Sequence, residues 1–409
     1  MLIRKKAETL IVIAIICLPL SLAIEMNTSF LIAGYVDEII TLFMLFHVGL
    51  LALSNQLDRA DLYLILLLFA FSFIGLISNM SSGVVRDIKS IFLDAFAQYK
   101  IFVGFLSAKY VAKKCNDNYI FMSLEKIAKI SLILGSICGL ISIFVDIGMA
   151  EYSTEQRYGL PAYYFVFGNS GRYGIIVAVM LLIVEKTTEN RKTILGYEIL
   201  AIICMLLTTK GTVYVIIVVY ICLQILFRAL EKEGRFTLKT ALPTVIAGIG
   251  ASGYQISSYL LNEEAPRALL IKYGFITANR FFPFGSGFAT YGSAEAAKDY
   301  SPLYREYGWA NKWTMGIENG TALNDNYLAT IVGETGYFGL LIFLLMFFNI
   351  YRQVNIIISD IKSKALILGL FFDMIVSFIA TGITKSSIGM MVFITLGVCV
   401  GLSEKEKRR

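Results

Sequence analysis

Apolar residues in this chain run in blocks of roughly 20, the length an α-helix needs to cross a ~30 Å hydrocarbon layer. They do not alternate with polar residues as they would in soluble domains. Twelve blocks can be placed, near residues 9–25, 30–53, 61–79, 91–108, 127–148, 170–185, 193–209, 211–229, 240–260, 326–350, 365–383 and 386–402. The first follows Met1-Leu-Ile-Arg-Lys-Lys6 and mimics a secretory signal, but no small-residue cleavage site comes after it. A second block begins at Phe30, so the first reads as a retained span. The pattern predicts an all-α integral membrane protein with about twelve transmembrane helices, forming one polytopic domain over residues 1–409.

One connection breaks the run of short loops. Residues 261–325, between the ninth and tenth spans, are Gly-rich, mixed in charge and hold both tryptophans, Trp309 and Trp313. Loops of this length are usually functional or contain helices of their own. Within it, Pro266 to Phe282 places apolar residues at helical spacing beside Arg267, Lys272 and Arg280, which predicts a helix lying on the membrane surface.

Composition excludes the soluble alternative: 57% of residues are apolar and 16% charged, against about 45–50% and 25% in soluble domains. The net charge of +6 therefore reports orientation and not a nucleic-acid partner. Basic clusters at Arg4–Lys6, Lys109–Lys114, Lys186–Lys192, Arg228–Lys239, Lys362–Lys364 and Lys405–Arg409 place about 23 of the 36 basic residues on one side. By the positive-inside rule both termini are cytoplasmic and residues 261–325 lie outside. The six cysteines fall in apolar runs or beside a Lys-rich loop, so no disulfide is expected.

No nucleotide-binding loop, zinc-protease helix or nucleophile elbow is present, and no metal or cofactor is implied. Gly285-Ser-Gly287 lacks the strand–helix setting of a dinucleotide site. The single histidine, His47, sits inside the second span and reads as a helix–helix hydrogen-bonding residue. The informative oddity is cationic: Arg157, Arg172, Lys210, Arg267 and Arg280 lie at or just beyond the outer ends of spans, where orientation rules disfavour them. Either they reach lipid headgroups or Glu151, Glu155, Glu263 and Glu264, or they line a pocket for a lipid-linked diphosphate. Lys210, in Leu207-Thr-Thr-Lys-Gly211, has almost no loop in which to escape to water.

Asp94 and Lys100 fall within the fourth span at a spacing that does not put them on one helix face; such intramembrane charges are either functional or paired with a neighbouring helix. The aromatics Tyr291, Tyr300, Tyr304, Tyr307, Trp309 and Trp313 either pack on sugar rings or anchor the membrane interface. Glu295, Asp299, Glu306 and Glu318 read as solvated surface.

Pro283-Phe-Gly-Ser-Gly-Phe288, then Asn324-Asp-Asn-Tyr-Leu328 and Gly333-Glu-Thr-Gly336, resembles the O-antigen polymerase/ligase family of Wzy-type polymerases and WaaL-type ligases. Arg267, Pro283, Gly285, Gly287, Asp325, Asn326, Glu334 and Gly336 fit its pattern of an arginine, a helix, proline before G-x-G, then (H/D)-N-x-x-L leading into E-x-G. Arg157-Tyr-Gly159 with Pro161 is an earlier match, and Arg157…Gly168 and Arg305…Gly316 fit the Arg-x10-Gly of some polymerases. Aspartate at 325, where the ligases typically carry histidine, favours the polymerase.

The resemblance implies a GT-C-like membrane glycosyltransferase that polymerises undecaprenyl-diphosphate-linked oligosaccharide repeats at the outer face of a bacterial inner membrane. Its partners would be membrane lipid and, from the same pathway, a flippase and a chain-length regulator. In that frame Arg157, Lys210, Arg267 and Arg280 hold the diphosphate, and Asp325 is the acceptor-side base. Arg305, Trp309, Trp313, Asn326 and Glu334 contact acceptor or glycan. The alternatives are a ligase that delivers polymer to lipid A–core and a transporter of the lipid-linked glycan.

Overall fold

The computed structural model describes residues 2–28, 31–84, 87–115, 119–152, 159–229, 238–255 and 262–408. Its helices are α1 (Leu2–Asn27), α2 (Val36–Leu53), α3 (Arg59–Ser82), α4 (Ile88–Lys114), α5 (Tyr119–Ile141), α6 (Ser170–Thr187), α7 (Arg191–Leu207), α8 (Gly211–Ala229), α9 (Leu238–Gln255), α10 (Pro266–Arg280), α11 (Ala294–Lys298), α12 (Pro302–Glu306), α13 (Tyr327–Ile357), α14 (Ile361–Ala380) and α15 (Ser387–Arg408). The strands among these residues are β1 (Ala150–Glu151) and β2 (Ala162–Tyr163), a two-residue antiparallel pair. Among the described residues, eight helices are long and apolar enough to cross a membrane, which makes this an all-α membrane protein.

The bundle is built around α4 and α15. Gly397 and Gly401 lie one turn apart on α15 and bring its backbone onto α4: a Cβ at Gly397 would stand 2.3 Å from the Phe105 carbonyl oxygen. Small residues spaced this way allow the close helix contact on which packing in lipid depends. Between the two, Phe102 meets Phe343 and Phe347 of α13 edge-on, at ring-centroid distances of 5.6 and 6.0 Å.

Placing α4 at the centre carries Lys100, Lys109 and Lys113 inward, and each of these is matched. Towards its C-terminal end, the buried Lys109 ammonium donates to Asp61 (2.8 Å) and Gln353 (2.7 Å) and pairs with Glu404 (3.1 Å). Lys113 pairs with Asp58 and Glu404 beside it. Towards the other end, Lys100 pairs with Asp37 (2.8 Å) and Glu38 (2.6 Å) of α2, not with Asp94. His47 bonds to Ser107 of α4 (2.9 Å), a helix–helix contact as expected.

Element boundaries depart from the apolar blocks in three places. The second block, 30–53, is divided: a 3-10 turn over Leu31–Tyr35 precedes α2. The fifth slides towards the N-terminus, because α5 starts at Tyr119 and stops at Ile141, after which Ser142 caps back onto the Gly139 carbonyl. The tenth lengthens to Ile357 and carries a break at Gly336 (φ 64°, ψ −163°). The helix from Pro266 forms, but its buried face (Leu269, Leu270, Gly274, Thr277, Ala278) is turned to protein and packs on α13. A surface-lying helix would instead give that face to lipid. Residues 262–325 also build a small aromatic core of their own around Tyr291, Tyr304 and Trp309.

Candidate functional site

The starts of α2, α6, α8, α10 and α13, the N-terminal half of α4 and the turn between α14 and α15 surround one cavity of about 470 Å³. Five cations line it, Lys100, Arg172, Lys210, Arg267 and Lys385, with four carboxylates, Glu38, Asp94, Glu295 and Asp325. Lys210 and Gly171 stand where α8 and α6 begin, and unpaired N–H groups at such ends add positive potential.

The cation and the carboxylate that the sequence singled out come together. Asp325 Oδ2 accepts from both Arg267 Nε (2.8 Å) and Nη2 (2.5 Å). Arg172 feels the charges of Glu25 and Asp325. Asp325 does not cap α13. That position belongs to Asn326, whose Oδ1 accepts from the Ala329 amide (2.9 Å) and whose Nδ2 donates to the Ile379 carbonyl (2.8 Å). The neighbouring residues thus divide the work: Asn326 fixes the helix start, which leaves the Asp325 carboxylate half-exposed to the cavity.

The G-x-G and E-x-G segments meet each other and form the floor beneath this corner. The amides of Ser286 and Gly287 donate to the carbonyls of Gly333 (2.9 Å) and Glu334 (2.8 Å), filling the gap that the break at Gly336 opens in α13. A Cβ on Gly285 would lie 2.5 Å from the Gly336 amide nitrogen, and both residues have positive φ, so each admits only glycine. Glu334 is fully buried and its Oε1 accepts from the amides of Thr290 and Tyr291, both at 3.1 Å. Asn79 of α3 holds the same loop through the Phe288 backbone, and Asp94 accepts from the Ala289 amide (2.7 Å). Glu334 and Asn326 therefore shape the site from below, and the sequence-based assignment of both to glycan contact is corrected.

Other assignments are corrected by position. Arg280 pairs with Glu306 at the exposed surface, away from the cavity, and that carboxylate raises its pKa. Trp309 is 1% exposed, stacked on Tyr304 at 5.4 Å, and offers no free face to a sugar. Arg305 is exposed beside the Tyr300 ring, outside the cavity lining. Trp313, 83% exposed, stands at the tip of the loop in a separate shallow depression formed by residues 310–319. Glu295, read as solvated surface, is half-buried and lines the cavity. Arg157 lies outside the described residues.

Lys385 was not singled out by the sequence. It sits in a 3-10 turn (Ile383–Lys385) and its ammonium donates to the Gly292 carbonyl (3.0 Å) and to Thr330 Oγ1 (3.4 Å). Burial pushes its pKa down, and Asp94, Glu334 and Asp325 oppose that shift. The signal was the one that exposed Lys210: a lysine in a tight turn between two apolar blocks.

No protein-family profile matches the chain, and no curated protein matches it in sequence. The chemistry must be read from the cavity. A half-buried cluster of cations at helix starts suits a phosphate-bearing anion, and a carboxylate on the cavity wall can accept a proton from a hydroxyl placed beside it.

Proposed function

We propose that this chain is a membrane glycosyltransferase that polymerises undecaprenyl-diphosphate-linked oligosaccharide repeats. In this reading it is a twelve-span, GT-C-like enzyme of the inner membrane, related to the O-antigen polymerases. Both termini face the cytoplasm and residues 262–325 lie outside. The observation that carries the reading is the convergence of Lys210, Arg267, Arg172 and Lys385 with Asp325 on one cavity. The alternation of helix ends supports the topology, since the starts of α2, α6, α8 and α13 share the cavity end.

The chemistry needs little from the protein. The acceptor hydroxyl oxygen bonds to the anomeric carbon of the donor as the bond from that carbon to the diphosphate oxygen breaks. The leaving diphosphate gains charge that Arg172, Lys210 and Lys385 stabilise. The hydroxyl proton passes to Asp325, which Arg267 orients through one oxygen and leaves the other to the acceptor.

The test is a deletion strain examined for its glycan ladder. Single-repeat caps, restored to ladders by the wild-type gene, are the expected result. Lipid-linked polymer that never reaches its final acceptor would replace the polymerase reading with a ligase, and an unchanged ladder would remove both.

A further inference from the structure

Asp373 of α14 is 0% exposed, and neither of its carboxylate oxygens has a hydrogen-bond partner among the described residues. Ser377, one turn on and also 0% exposed, has an unpartnered hydroxyl. Gly369, one turn before, packs on α8, where a Cβ would lie 3.3 Å from the Ile216 carbonyl oxygen. Residues 369, 373 and 377 follow each other at four-residue intervals, so they form one stripe and Asp373 and Ser377 face the α14–α8 seam. On the third side α6 packs on α8 through Gly174 against Val213, and the Ser170 hydroxyl at its start is again buried without a partner.

A carboxylate left in such a place is strongly disfavoured unless a counter-charge accompanies it, and each orphaned buried polar group calls for a specific explanation. No charged side chain offers one: Asp373 has no ion pair and no electrostatic neighbour among the described residues. We infer that Asp373 and Ser377 bind a hard monovalent cation of the sodium kind. Carboxylate and hydroxyl oxygens are hard donors. One carboxylate balances one positive charge, whereas a divalent ion would leave an excess charge in a dry seam. The ion reaches the seam from the cavity. Thr212 of α8 and Thr381 just beyond α14 line that cavity, and Asp373 lies about 10 Å of helix below the end of α14. The inference stands apart from the glycan reading, because it requires only a cavity open to water.

The experiment is thermal unfolding of the purified full chain in detergent, titrated with NaCl against N-methylglucamine chloride at constant ionic strength. Wild type is expected to show a saturable rise in Tm with sodium, since a ligand bound to the folded state alone stabilises it. Asp373→Asn should lose the sodium response. Ser377→Ala should keep it with the half-saturating concentration raised about tenfold, the effect of one lost polar ligand. A wild type indifferent to sodium, or an Asp373→Asn protein that responds like wild type, overturns the site. Should Asp373→Asn fail to fold, an unshifted midpoint in Ser377→Ala overturns it equally.

Discussion

Arg267 and Asp325 stand 58 residues apart and close the segment between them on itself, with Nε and Nη2 both donating to one carboxylate oxygen. The two residues flank everything from α10 to the start of α13. Their bond stations a carboxylate at the cavity wall while Asn326 alone starts the next helix.

Asp325→Asn follows directly. With capping assigned to Asn326, the change is expected to leave accumulation and Tm near wild type and to lower polymer formation by roughly 10²–10⁴-fold, the usual contribution of a general base. Glycan ladders together with melting of the purified variant check it. Normal ladders would remove Asp325 from the chemistry.

The cavity cations should differ in how they tolerate exchange. Arg172→Gln, Lys210→Met and Lys385→Met are each expected to weaken transition-state binding by roughly 1.5–3 kcal/mol, as for a lost charge-assisted contact. Arg267→Lys should impair activity as well, because a point charge cannot reproduce the two-nitrogen grip on Asp325. Turnover of purified lipid-linked repeats measures these effects, and wild-type turnover in all four variants would contradict the shared anion site.

Arg280→Ala is expected to do little. Its partner Glu306 and its own side chain are both 49% exposed, and pairs screened by water in this way contribute about 0–1 kcal/mol. Ladder length and Tm should both stay near wild type; a strong loss of polymer would bring Arg280 back to the site.

Gly336→Ala should be poorly tolerated. Its Cβ would meet the Pro283 carbonyl oxygen at 2.5 Å, at a positive φ. A roughly 1–3 kcal/mol backbone penalty adds to the clash, so reduced accumulation and a lower Tm are expected. An unaltered Tm would show that the G-x-G loop does not depend on the break.

The membrane class and most helix positions were legible because apolar blocks of spanning length admit no other solvent. Lys210 and Arg267 stood out in the sequence for a different reason: the charge alternation assigns them to the side poorer in basic residues, and such a cation needs a local cause; Asp325 stood out only through the family resemblance. Arg280 broke the same rule yet faces water beside Glu306, and sequence carries no signal to separate the two cases. Trp309 and Glu334 misled because aromatic and acidic side chains in or next to a long connecting segment look like sugar contacts until burial is known. Asp373 lay unnoticed in an apolar block, as one carboxylate scarcely alters the hydropathy of twenty residues.

The segment that begins at Arg267 is fastened at both feet and riveted in its middle by the loop lodged in the α13 break. Such a part moves with the bundle and not as a flap over it. Its crest around Trp313 stands free of those fastenings. The exposed Trp313 side chain lies outside the lining of the charged chamber, so a substitution confined to it is expected to leave the geometry at Asp325 as it is.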